Sequence, residues 1–331
     1  MLNTADTLRT SRSARARSFV SRIARLDGVV HARLEARSRV DGAPGTVNDG
    51  PPALPPRFAM PLTSAPPTAF AEGKILMTVD DRVGIITFNN PDKRNAMSLE
   101  MWEGLGQALV ALRDDADIRV VVLTGAGDKA FVSGADISQF EQSRHNAAAS
   151  EDYARKSSAQ RALLADYPKP TLACVRGFCL GGGLQIAMLT DMRFASEDSQ
   201  FGIPAARLGI AYGYDGLRNL VALVGPSQAR LLLYTGLRID AAEALRIGLV
   251  DRMMANDELL PATLDIARTI AGNAPLAVQA AKITIAEVLK DESHRDLAAI
   301  RRIGDACMDS EDFREGRRAF MEKRKPAFKG R

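Results

Sequence analysis

The sequence predicts an α/β core that passes into an all-helical C-terminal part. Three observations predict it. Short apolar, β-branched runs alternate with helix-period segments between Val83 and Asp191. The run 169–185, KPTLACVRGFCLGGGLQ, reads as strand, turn, three consecutive glycines and helix. From Leu217 onward almost every segment has the helical period.

Taken in order, 83–88 (VGIITF) is a strand and 89–93 a turn. Ser98 can cap a helix over 99–113, with Glu100 early in it. The segment 119–140, RVVVLTGAGDKAFVSGADISQF, holds a buried strand at 120–123. After a Gly-rich turn, Ser133-Gly134-Ala135-Asp136 opens another apolar stretch. A helix is expected over 153–166 and a strand over 171–175, apolar and β-branched at both ends. Gly181, Gly182 and Gly183 leave the backbone bare before a helix that runs to Asp191. Such a turn aims unpaired N–H groups at whatever docks there, and the helix dipole favours negative charge at that spot. That is the physical recipe for an oxyanion hole. The competing reading is a helix N-terminus packed closely on a strand. A further strand covers 192–195. Asp240 can cap a helix over 241–248, and helices follow over 257–271, 276–290, 294–308 and 310–323.

The chain has 331 residues with 46% apolar and 25% charged content, ordinary globular values that allow a sizeable core. The net charge of +4 is misleading. Residues 1–73 hold ten Arg, no Lys and six acidic residues, whereas the remainder has 34 basic and 34 acidic residues. The folded part therefore offers no charge argument for nucleic-acid binding. No apolar run reaches membrane-spanning length. His145 and His294 are the core's histidines, which argues against a His-built metal site. Cys174, Cys179 and Cys307 lack motif spacing and suit a reducing compartment. Cys174 reads as a buried small hydrophobe, and Cys179 could approach the pocket. Phe19, Ile23, Leu26, Val30 and Leu34 form an amphipathic stripe in an Arg- and Ser-rich stretch, followed by a Pro/Gly-rich linker at 43–67. A disordered extension or upstream start (Met60 and Met77 are internal alternatives), an organellar transit peptide and a docked helix are competing readings.

Four ordered segments resemble the crotonase (enoyl-CoA hydratase/isomerase) superfamily: VGIITFNNPDKRNAMS at 83–98, AFVSGADI at 130–137, KPTLACVRGFCLGGG at 169–183 and DSQFGIPAARLGI at 198–210. The resemblance runs from about Lys74 to the C-terminus. It implies a spiral of ββα units at 74–264 and a helical C-terminal region at 265–331 that packs trimers, after an N-terminal extension at 1–73. It implies a homotrimer or homohexamer in the cytoplasm, or in the mitochondrial matrix if the extension is a transit peptide. The substrate would be an acyl-CoA of the kind met in fatty-acid metabolism, with no cofactor beyond coenzyme A itself, no metal, no nucleic acid and no membrane. The backbone N–H groups of Ala135 and Gly182 would hold the thioester carbonyl. Lys93, Arg94, Ala96, Asp136, Ile137 and Gly181 would lie along the coenzyme, and Phe320 and Lys323 would reach a neighbouring subunit's coenzyme.

The departures from the family pattern bear on the reaction. Hydratases of the family carry a glutamate two residues after the glycine triplet, here Gln185, and another in FG-x-P-E, here Ala205. An amide can hold a water but cannot take its proton, and loss of one proton-transfer group typically costs about 10²–10⁴-fold in rate. The loop 208–216 instead carries Tyr212, Tyr214 and Asp215, which could move a proton. The competing reading is an ordered turn with Asp215 capping a helix that starts near Leu217. Glu141 and His145, four apart, are either part of the acyl pocket or an exposed ion pair. Asp136 is expected to brace the first N–H segment. The sequence thus points to a lyase- or isomerase-type acyl-CoA enzyme with doubtful hydratase activity. Isomerase, decarboxylase and thioester hydrolase chemistry, and a non-catalytic acyl-CoA-binding scaffold, are the alternatives.

Overall fold

The computed structural model describes residues 66–136 and 147–331. Ile137, Glu141, His145 and the amphipathic stripe of the N-terminal extension lie outside the described residues.

The chain enters through β1 (Thr68–Phe70), which pairs antiparallel with β2 (Ile75–Asp80). Folded structure therefore begins ahead of the expected start near Lys74. β3 (Val83–Phe88), β4 (Val120–Gly125), β6 (Thr171–Val175), β8 (Met192–Ser196) and β11 (Arg252–Met254) complete a seven-stranded sheet of order β1-β2-β3-β4-β6-β8-β11. From β3 to β11 every pairing is parallel. Side chains alternate between its faces. Val83, Ile85, Val120, Val122, Leu172, Cys174 and Phe194 pack with helix α6 (Leu259–Ala271). Ile86, Phe88, Val121, Leu123, Ala173 and Val175 join the larger core, together with helix α1 (Leu99–Asp114). Burial on both faces explains why these strands read as continuous apolar runs.

A second, four-stranded sheet has order β10-β9-β7-β5 and uses β5 (Ala130–Val132), β7 (Phe178–Leu180), β9 (Gln200–Gly202) and β10 (Arg238–Asp240). Each of its strands has three residues, too few to show a period in the sequence. The remaining helices are α2 (Ala147–Ala165), α3 (Gly182–Leu189), α4 (Tyr214–Thr235), α5 (Ala241–Arg246), α7 (Pro275–Val288), α8 (Leu297–Asp309) and α9 (Glu311–Met321).

Two expected caps are present. The Met101 N–H donates to Ser98 Oγ at 3.3 Å, and the Glu243 N–H donates to Asp240 Oδ1 at 2.8 Å. Two expected helix starts shift. α2 begins at Ala147 rather than residue 153, because AAASED carries no apolar stripe to announce a helix. α4 begins at Tyr214 rather than Leu217, with Gly213 as its N-cap and no side-chain cap bond. Among the described residues no helix is long and apolar enough to cross a membrane.

Candidate active site

Two chain segments meet at one end of the second sheet. The first leaves β5 through Ser133 and Gly134. Met97 N–H donates to Gly134 O at 2.8 Å and Asp136 N–H donates to Met97 O at 2.9 Å, so Ala135 is held in a parallel bridge to Met97. Asn95, buried at positive φ (55°), ties the turn before Met97 to the start of β5. Its amide donates to Ala126 O at 3.0 Å and Ala130 O at 2.7 Å, and its oxygen accepts the Asn90 N–H at 2.9 Å. Sequence reasoning did not single out Asn95; the available signal was an Asn in a turn, a residue that tolerates left-handed backbone.

The second segment leaves β7 through Gly181, whose φ of 50° and ψ of −112° suit glycine alone. Gly182 opens α3. Gly183 is required by close approach, since a Cβ there would fall 2.1 Å from Val132 O. That contact docks α3 on β5. It brings Gly182 beside the first segment: a Cβ on Gly182 would stand 3.9 Å from Gly134 C and 4.0 Å from Ala135 N. Among the described residues neither the Ala135 nor the Gly182 N–H has an acceptor. Two unspent amides, one at a helix N-terminus, can stabilise developing negative charge on an oxygen lodged between them.

Tyr212 closes over this turn. Its partly buried phenol donates to Gly181 O at 3.4 Å. Burial pushes its pKa well above the ordinary value, against the opposing pull of the Arg161 charge and the Gln185 amide. The phenol is therefore neutral and a donor. Gln185 N–H also donates to Gly181 O, at 3.0 Å. The Gln185 amide and the Tyr212 ring both crowd Gly216, where a Cβ would lie 2.5 Å from Gln185 Nε2 and 2.7 Å from Tyr212 Cε1. Beyond Gln185 a cavity of about 210 Å³ opens between α2, α3 and α4. Arg161, Asp166, Met188, Asp215 and Asn219 line it. Arg161 and Asp166 were not anticipated, because α2 carries no pattern that marks one of its faces as a pocket wall.

Other expected site residues are placed as follows. Tyr214, two residues beyond Tyr212, is 76% exposed as the first residue of α4. Asp215 lies in the first turn of α4 and lines the cavity; the alternative in which it caps a helix does not hold, since Gly213 is the N-cap. Ala205 is buried in a 3₁₀ turn, Pro204–Leu208. Cys179 is fully buried, and burial pushes its thiol up. The Lys93 ammonium meets Asp136 Oδ2 at 2.8 Å, and Ala96 is buried beside them. The Arg94 guanidinium lies 5.3 Å from the centre of the Phe178 ring. Phe320 and Lys323 are exposed at the end of α9.

Residues 78–331 match the family model described as enoyl-CoA hydratase/isomerase. The chain belongs to that family. The crotonyl-CoA hydratase of Syntrophomonas wolfei is 37% identical over 254 residues, covering 77% of this chain and 97% of that one. The short-chain-enoyl-CoA hydratase of Clostridium acetobutylicum is 35% identical over 258 residues, covering 78% and 98%. Among solved structures, an enoyl-CoA hydratase/carnithine racemase from Magnetospirillum magneticum superposes with a TM-score of 0.75 at 33% identity, over 78% of this chain and 96% of that one. The fold is thus the crotonase fold of the enoyl-CoA hydratase/isomerase family.

Proposed function

We propose that this enoyl-CoA hydratase/isomerase family member holds an acyl-CoA thioester carbonyl between the N–H groups of Ala135 and Gly182 and acts through an enolate or tetrahedral oxyanion. One observation carries the reading: Gly182 lies beside the Ala135 amide, and neither residue's N–H has an acceptor among the described residues. Such donors strengthen as charge moves onto the oxygen, which is the requirement for lowering a barrier rather than merely binding.

The proton-transfer groups define the reaction class. Gln185 and Ala205 stand where the hydratases carry glutamates, so efficient addition of water is not expected. Tyr212, neutral and hydrogen-bonded to the same turn as the oxyanion donor, is the favoured proton donor to an enolate carbon. Asp215, on the wall of the cavity beyond Gln185, is the candidate base that takes the α-proton to form the enolate, and Tyr212 then returns a proton to carbon. Tyr214, 76% exposed at the start of α4, has less contact. Isomerisation or another enolate reaction fits this set better than hydration. The missing carboxylates also support a second reading, a non-catalytic acyl-CoA binder. Lys93, Arg94, Ala96, Asp136 and Gly181 would line the coenzyme, which arrives as part of the substrate. No residue of α8 is buried within the described chain, and Leu297 on it is 66% exposed. This supports assembly into a trimer or hexamer through the C-terminal helices, with Phe320 and Lys323 offered to a neighbouring subunit's coenzyme. A cytoplasmic location goes with this reading.

The test is exchange of the α-protons of a saturated acyl-CoA in D₂O, read by NMR beside calorimetric binding. Exchange above background, reduced at least about tenfold in Tyr212→Phe with binding retained, is expected. Binding without exchange would favour the non-catalytic reading. Absence of acyl-CoA binding would overturn both.

A further inference from the structure

Beyond Gln185 the faces of three helices close on the cavity of about 210 Å³. Pockets for drug-sized ligands hold roughly 300–1,000 Å³, so the occupant of this one is short. One wall is apolar. Met188 and Leu189 of α3 lie three and four residues after Gln185 and so share its helix face. The facing walls carry charge. Arg161 comes from α2, Asp166 directly follows α2, and Asp215 and Arg218 come from α4. A plain alkyl chain would cover Met188 and Leu189 but would strip water from these charges and offer nothing in its place.

These charges cancel in number, so their depth decides which sign a ligand meets. Asp166, Asp215 and Arg218 are exposed, whereas Arg161 is half-buried. Arg161 is also held in place. Its Cζ lies 5.5 Å from the centre of the Trp102 ring, and its Nη1 donates to Ser157 Oγ at 3.1 Å. Trp102 and Ser157 are themselves buried. Among the charged groups of the cavity, Arg161 is the one whose field reaches the Tyr212 phenol. The inner end of the cavity is therefore cationic, and the exposed aspartates lie nearer its opening. Gln185 joins the cavity to the oxyanion turn, since its N–H donates to Gly181 O at 3.0 Å while its side chain lines the cavity. A chain whose carbonyl sits at the turn would run past Gln185, along Met188 and Leu189, toward Arg161.

We propose that Arg161 binds a carboxylate at the far end of the acyl chain, so that the substrate is the coenzyme A monothioester of a short dicarboxylic acid. The assignment rests on the acyl-CoA reading above and adds to it a specificity residue that no sequence motif marked. Guanidinium is suited to this task because its planar fork can bind a carboxylate through two parallel N–H bonds. Stacking on Trp102 fixes the plane of that fork before the ligand arrives, which lowers the entropy lost on binding.

The experiment titrates the full-length protein by calorimetry with glutaryl-CoA and pentanoyl-CoA, whose acyl chains are equally long and differ in the distal carboxylate. The wild type should bind glutaryl-CoA about tenfold tighter, the worth of one charge-assisted hydrogen bond. That ratio should fall to about one in Arg161→Gln and keep part of its value in Arg161→Lys, which retains the charge without the fork. The wild-type comparison needs no variant, and a melting curve checks that each variant folds. Equal wild-type affinities, or a ratio unchanged in Arg161→Gln, would overturn the carboxylate site while leaving the acyl-CoA reading intact. An Arg161→Gln variant that weakens both thioesters alike would put Arg161 at a part common to both, and would also overturn it. A wild type that binds neither thioester would remove the acyl-CoA reading, and the carboxylate site with it.

Discussion

Gly182 and Gly183 are adjacent, yet alanine should act on them in opposite ways. A Cβ on Gly182 would have no atom nearer than 3.9 Å among those outside its own helix and chain neighbours, so the fold can accept it. Alanine is also favoured over glycine within a helix by roughly 1 kcal/mol, and Gly182 is the first residue of α3. The melting temperature of Gly182→Ala should therefore hold or rise slightly. Its methyl, however, would stand 4.0 Å from Ala135 N, in the space that an oxygen needs to reach both amides. Alanine keeps the N–H but blocks the approach to it; losing the use of one oxyanion donor costs about 2.7–4 kcal/mol, roughly 10²–10³-fold in rate, and α-proton exchange of acyl-CoA should fall by up to that factor. Gly183→Ala would drive a Cβ to 2.1 Å from the Val132 carbonyl oxygen, a backbone atom of β5. Overpacking of this kind costs about 1–3 kcal/mol or more, and the melting temperature should drop by several degrees. Thermal melts and the exchange assay on both variants decide the matter. Full exchange activity in a folded Gly182→Ala would refute the placement of the carbonyl between Ala135 and Gly182.

Crotonyl-CoA hydration by the wild type should be at least about 10²-fold slower than in a relative carrying both glutamates, and Gln185→Glu with Ala205→Glu should raise it; efficient wild-type hydration would show that another group moves the proton. Tyr167, whose phenol donates to Leu109 O at 2.9 Å, and Tyr212 are both shifted upward by burial, so both favour the neutral form in the folded chain. Their stabilising contribution is complete below the ordinary tyrosine pKa of about 10 and is lost as pH rises through and beyond it. Urea midpoints measured from pH 8.5 to 11.5 should fall above pH ~10, and less steeply in Tyr167→Phe. Asp312 is 2% exposed and accepts the N–H groups of Lys329 at 2.6 Å and Gly330 at 2.8 Å, while the Arg119 guanidinium donates to Phe328 O at 2.6 Å. Asp312→Ala should cost about 1–3 kcal/mol and expose the C-terminal residues to carboxypeptidase; an unchanged melting curve and digestion rate would contradict this.

Local chemistry sufficed for the parts of this protein that depend on a few neighbouring residues. The Ser98 and Asp240 caps, the buried parallel strands and the bare glycine turn before α3 were all legible, because caps, apolar runs and glycine act over three to eight residues. The amide at Gln185 and the methyl at Ala205 were legible as well, since they are simply the residues present. Tertiary structure decided what meets at the turn. Tyr212 and Tyr214 look equivalent in the sequence. The chain enters α4 at Tyr214, which turns that ring to solvent and leaves Tyr212 against Gly181. The second sheet was hidden because three-residue strands have no period to detect. Its consequence, the meeting of Arg94 and Arg238 on Phe178, depends on pairings between residues up to 144 positions apart, which no local pattern encodes.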